Sequence, residues 1–180
     1  MGANTAAPAT ELRSLAAEGA GELIASDKFW GSNYYNHPPL TDEMVAVAEQ
    51  QLGIKLPAEY IGLLRIQNGG YTRGFGYPMT CRTTWAEDHV PVHELFGIVI
   101  DADHRTAQNI LDTAYMTQEW GLPPRQALLS GDGHWWITLD YRNGDIPSVA
   151  WLAVDNGEDF QIAPSFAAFL IGFLPDSAFK

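Results

Sequence analysis

The hydrophobic period of the chain changes at Asn68-Gly69-Gly70, and this change restricts the fold more than any other feature of the sequence. Before it, LTDEMVAVAEQQLGIKLPAEYIGLLRIQ carries apolar residues at three- and four-residue spacing. Met44, Val47, Ala48 and Leu52 fall on one helical stripe, and Tyr60, Leu63 and Leu64 on another. Thr41 is placed to cap the first helix, Asp42 and Glu43 suit its positive end, and Gly53 suits its left-handed stop. Pro57 fits the first turn of the second helix, where a missing N–H costs nothing. The short GIKLP link makes the pair a helical hairpin. Asn68, Gly69 and Gly70 are expected to end it through backbone conformations closed to β-branched residues.

Beyond Gly70 the texture is that of strands and turns. YTRGFGYPM, from Tyr71 to Met79, is a glycine-aromatic loop in this reading, and Tyr71, Phe75 and Tyr77 are candidates to line a pocket. ELFGIVI predicts a buried strand over Glu94–Ile100. RTAQNILDTAYMTQEWGLP predicts a helix with Ile110, Leu111, Ala114 and Tyr115 facing inward, closed by Gly121 and Pro123. QALLS is a short strand, followed by a turn at Gly131-Asp132-Gly133. In HWWITLDYR the side chains alternate. Trp135, Ile137, Leu139 and Tyr141 are expected to face the core; His134, Trp136, Thr138, Asp140 and Arg142 form the outer side of the sheet or line a shallow groove. SVAWLAV is a further strand, and Ser165 caps a closing helix with Phe166, Phe169, Leu170 and Phe173 along one face.

This order of elements is α+β: a single domain with a mainly antiparallel sheet packed with helices. Residues 29–180 form the domain. Residues 1–28 form an N-terminal extension, partly disordered, with a short helix from Thr10 to about Ala25 weakened by Gly19 and Gly21. The extension has neither a basic start nor a continuous apolar stretch, so the chain reads as cytoplasmic, without a secretory signal or membrane span.

Composition narrows the partners. The 22 acidic residues against 10 basic ones give a formal net charge of -12, which repels phosphate backbones and suits a basic protein. The single cysteine, Cys81, excludes an internal disulfide and a cysteine-built zinc site.

The segments LTDEMVAVAEQQLGIKLPAEYIGLLRIQNGG, LLSGDGHWWITLDYR, IPSVAW and IAPSFAAFL together resemble the SUKH superfamily, in its branch of homologues of the Smi/Knr yeast cell-wall synthesis regulator. The match runs from about Leu40 to Phe173 and rests on the order of the motifs, each of which is weak alone. The resemblance implies helices packed on an antiparallel sheet. It also implies an interaction protein without catalysis: bacterial members act as immunity proteins against toxins, and the fungal branch is regulatory. The extension before Phe29 departs from the pattern.

Chemical alternatives rest on scattered residues. His89 and His93 are four apart, with Glu94 adjacent and Asp101, Asp103 and His104 following. Two histidines at that spacing ligate zinc from one helix face, but Pro91 between them argues against a helix. Ser130 lies in no nucleophile elbow, and His134 and Asp140 are about 20 Å apart along an extended strand. The expectation is therefore no catalytic residue, no metal and no cofactor, with a metal-dependent enzyme as the remaining alternative. The expected partner is a cognate, basic toxin domain, with no nucleic acid and no membrane. Trp136 and Arg142 are residue types enriched in interface hot spots; the alternative, of slightly greater weight, is that Trp136 packs beneath a neighbouring loop while Asp140 satisfies backbone donors. Trp136 and Arg142, with Asp132, His134, Asp140, Asp155, Glu158 and Asp159, make up the candidate contact set, the last three from the DNGED loop. A regulatory module binding another protein or a small ligand is the alternative function.

Overall fold

The computed structural model describes residues 28–101 and 108–179, together with Gly19. Apart from Gly19 and Lys28, the extension with its expected helix from Thr10 lies outside the described residues, as do Asp103 and His104.

The helical hairpin forms as its punctuation requires. Helix α1 spans Asp42–Leu52; the Thr41 hydroxyl accepts the Met44 N–H at 3.2 Å, and Gly53 closes the helix at φ 66°. Helix α2 spans Ala58–Ile66 and buries Tyr60, Leu63 and Leu64. The Tyr60 hydroxyl donates to the Phe96 carbonyl at 2.7 Å, so even this fully buried phenol has a partner. The hairpin stop works differently from expectation at one position. Gly69 and Gly70 have φ of 85° and 132°, but Asn68 does not adopt a left-handed backbone. Asn68 contributes through its side chain instead. Its amide nitrogen donates to the carbonyls of Pro38 and Ile98 at 2.8 and 2.7 Å, and its oxygen accepts the Ile98 N–H at 2.8 Å.

Two antiparallel sheets follow. In the first, β1 (Gly70–Pro78) lies between β2 (His89–Leu95) and the two-residue β7 (Leu174–Pro175). The run from Tyr71 to Met79 is thus a strand rather than a loop. Its glycines disfavour a strand locally, but ladders on both sides and a bulge between Tyr71 and Phe75 outweigh that preference. Pro91 is tolerated because β2 is an edge strand. The strand expected over Glu94–Ile100 is shifted toward the N-terminus. From Phe96 the chain leaves the ladder, and its buried groups find other partners: Phe96 N–H donates to Leu129 O at 2.7 Å, and Asn109 brackets Val99 from both sides.

The second sheet has the order β3-β4-β5-β6, from Gln126–Gly131, Trp136–Asp140, Ser148–Ala153 and Glu158–Ala163. It is antiparallel throughout, and Ile137 lies opposite Trp151 while Leu139 lies opposite Val149. Ile137, Leu139 and Tyr141 join the main core with Trp151, Phe166 and Phe169, and Trp135 packs against it. The DNGED run is not all loop, because β6 begins at Glu158 after a 3₁₀ turn over Val154–Asn156.

The inserted helix is a 3₁₀ turn, Ile110–Asp112, running into α3, Thr113–Trp120. Ile110 and Leu111 are buried as expected, but Ala114 and Tyr115 face solvent. A 3₁₀ turn has three residues per turn, so the stripe slips in phase where α3 begins. Thr113 takes the inward position, its hydroxyl donating to Ile110 O at 2.6 Å and accepting the Leu128 N–H at 3.0 Å. Helix α4, Phe166–Ile171, is capped by Ser165, whose hydroxyl accepts the Ala168 N–H at 3.1 Å. Among the described residues no helix is long and apolar enough to cross a membrane.

Candidate functional site

The outer face of β4 is not the wet side of a sheet. Trp136 is 4% exposed and packs with Phe96, Leu122, Leu128 and Leu152 in a second core cluster. That burial removes it from the surface and makes it part of the scaffold. Thr138 is fully buried, and its hydroxyl donates to Gln126 Oε1 at 2.6 Å. Gln126 in turn donates through Nε2 to Asp140 Oδ1 at 2.8 Å.

Asp140, 5% exposed, is held by the Arg142 guanidinium, which donates to both its oxygens at 2.7–3.0 Å. The other edge of the guanidinium grips Asp159 at 2.6 and 2.7 Å. Three of the expected contact residues therefore bind one another, buried Asp140 and exposed Asp159 holding the arginine fork on both sides. Burial alone would raise the Asp140 pKa, but donors from Arg142 and Gln126 outweigh it and hold the carboxyl below its ordinary 3.8. A depressed folded-state pKa contributes stability that is present above the unfolded value and is lost as pH falls through the folded one. Urea denaturation of the wild type and Asp140→Asn should show this: below about pH 4, near the reference pKa of aspartate, the wild type loses stability more steeply than the variant.

The remaining expected contacts separate. Asp132 Oδ1 accepts the N–H groups of His134 and Trp135 at 2.9 and 3.3 Å, an Asx turn that shapes the β3–β4 connection. His134 and Asp155 flank a dimple of about 10 Å³ beside Trp120, too small for a ligand. Glu158 accepts from the Trp151 indole at 2.7 Å and from Thr84 at 3.0 Å. Phe75 stacks on Phe29 and Phe173, and Tyr77 packs on Phe169, so both are core-packed residues. Only Tyr71 of that trio belongs to an open surface.

That surface is an aromatic platform the sequence reading passed over. The segment after Lys28 runs beside β1, with Gly31 N–H donating to Tyr71 O at 2.9 Å and Tyr71 N–H to Ser32 O at 3.1 Å. It brings Tyr34 and Tyr35 onto Tyr71, with ring centroids 5.5 and 5.9 Å away. Tyr34 is 72% exposed and Tyr71 40%. Directly opposite Tyr71 in the ladder stands Glu94, which accepts the Tyr35 hydroxyl. Burial pushes the Glu94 carboxyl up, offset in part by the Tyr35 hydroxyl and the Gly131 N–H, while Asp132 adds to the rise. The doublet Tyr34-Tyr35 between Asn33 and Asn36 was the available signal, but nothing local says that it will meet β1.

Exposed Trp85 lies edge-on to Trp135, which stacks on Trp151 at 5.0 Å. A groove of about 480 Å³ at the hairpin turn is lined by Glu49, Lys55, Arg125, Tyr141 and Asp145. A second groove, of about 330 Å³, shares Lys55 and Asp145 and runs over Leu56, Pro147 and Phe166. His89 and His93 lie on a strand and pair separately, with Asp88 at 2.8 Å and Asp176 at 3.1 Å. Among the described residues no three His, Cys, Asp or Glu side chains are grouped to hold a metal ion.

The model of the SMI1 / KNR4 family (SUKH-1) matches residues 39–172, from just before α1 to the end of α4. No curated protein and no solved structure matches the chain significantly. The matched stretch holds both helices of the hairpin, the whole second sheet and the Asp140–Arg142–Asp159 clamp, and the chain belongs to the SMI1 / KNR4 family (SUKH-1).

Proposed function

We propose that the protein is a non-enzymatic interaction module that binds and neutralises a cognate toxin domain inside the producing cell. The observation that carries this reading is the exposed tyrosine platform of Tyr34 and Tyr71 set beside Glu94 and Asp132, on a chain of net charge -12. Exposed aromatic residues supply contact area at low entropic cost, and surrounding acidic charge accelerates the approach of a basic partner. A toxin that attacks nucleic acid needs a basic surface, and such a surface complements this one. The nucleic acid itself and anionic membranes are repelled by the same charge.

Co-expression with a toxin encoded beside this protein tests the reading. Growth rescue and a 1:1 complex are expected, with association slowed strongly by salt and dissociation little affected. Absence of both rescue and complex overturns it. The two adjoining grooves around Lys55 and Asp145 then favour a regulatory module that binds a small ligand or another protein.

A further inference from the structure

We infer that Tyr34, Tyr71 and Glu94 form a socket for an arginine side chain of a basic protein partner. The inference rests on the reading of the protein as a binder of basic domains and names the chemistry of the contact.

Glu94 is a half-buried carboxylate on an edge strand that accepts hydrogen bonds from neutral donors, the Tyr35 hydroxyl and the Gly131 N–H. Among the described residues no lysine or arginine forms an ion pair with it. A carboxylate removed from water without a counter-cation is left electrostatically unfinished. The charged and titratable groups around it are Asp132 on the β3–β4 turn, Tyr35 and His93, with Tyr71 as its cross-strand partner. His93 is already engaged by Asp176 from the far end of the chain. His37, beside Tyr35, is held toward its neutral form by burial.

The aromatic part decides which cation fits. Tyr34 and Tyr71 meet at 36° between their planes and remain open to solvent. A guanidinium lying on such a ring keeps its edge free to donate two parallel hydrogen bonds to a carboxylate. An ammonium is more strongly hydrated and binds as a point charge, so it gains less from the same surface. Cross-strand pairing of Tyr71 with Glu94 sets the ring and the acid side by side on one face of the ladder.

The test uses the full chain and two probes, acetylated and amidated hexa-arginine and hexalysine, with binding measured by calorimetry at low salt. Glu94→Gln should weaken hexa-arginine about tenfold, the effect of losing one charge-assisted contact. Asp155→Asn removes the same charge from an exposed site elsewhere and should weaken it less than about twofold. Hexalysine should bind the wild type more weakly than hexa-arginine does. Tyr34→Ala, at a position exposed enough to leave the fold intact, should also lower arginine affinity and reduce the preference over lysine. Hexa-arginine binding to the wild type should fall with pH as Glu94 takes up its proton, and this component should vanish in Glu94→Gln. Equal losses in Glu94→Gln and Asp155→Asn, or no preference for arginine, overturn the socket. Rescue from a toxin by a chain with no arginine preference would overturn the socket alone. Arginine selectivity without any toxin complex would overturn the immunity reading alone.

Discussion

Trp151→Ala is expected to destabilise the protein by about 3–5 kcal/mol, the range for truncating a buried tryptophan. Trp151 is fully buried at the centre of β5, opposite Ile137 on one side and Phe160 on the other. Its ring stacks on Trp135 at 5.0 Å and 11° between planes, and its indole N–H donates to Glu158 at 2.7 Å. Truncation opens a cavity between α4 and the sheet, exposes the underside of Trp135 and leaves Glu158 without that donor. Trp151→Phe keeps a ring against Trp135 and should cost less than half as much. A loss below about 1 kcal/mol in urea denaturation, the scale of an ordinary surface change, would mean that the indole is not packed as described. Net stabilities of domains are about 5–15 kcal/mol, so the alanine variant should already unfold partly near physiological temperature.

Asn68→Ala is expected to cost about 3 kcal/mol or more, because one buried amide serves several groups at once. It satisfies the Pro38 carbonyl and both backbone groups of Ile98, while its own carbonyl meets His37 Nδ1 at 2.8 Å. Removing the amide orphans three backbone groups in a region that offers water little room. The consequence reaches function. Asn68 ties residues 37 and 38 to the hairpin stop, and the same segment carries Tyr34 and Tyr35 onto β1. The variant should therefore show faster hydrogen exchange in residues 30–38 and weaker hexa-arginine binding, even under conditions where it stays folded. Asn68→Asp keeps the acceptor but loses both donated hydrogen bonds and buries a charge, so it should be no better than alanine. An Asn68→Ala chain as stable as the wild type would refute this account of the network.

Local chemistry alone determined the hairpin, the capping by Thr41 and Ser165, the left-handed stop at Gly53, and the phase of β4. Each follows from contacts within a few residues or from a period that the backbone itself imposes, which is why the α+β class and the family resemblance are legible in the sequence. Tertiary structure decided the rest. Alternation leaves Trp136, Thr138 and Asp140 either as an exposed row or as packed beneath neighbouring chain, and Phe96, Leu122 and the Arg142 clamp cover that face. Alternation separates the two faces of a strand but does not say whether the second one meets water or another layer. The glycine-rich run became β1 because β2 and β7 supply its hydrogen bonds, and Tyr115 turned outward because a 3₁₀ turn reset the helical phase. The tyrosine platform lies deepest beyond local reach. Tyr34 and Glu94 are far apart in sequence, and only the closing of the chain onto β1, with Asn68 holding the turn, brings ring and carboxylate to one surface.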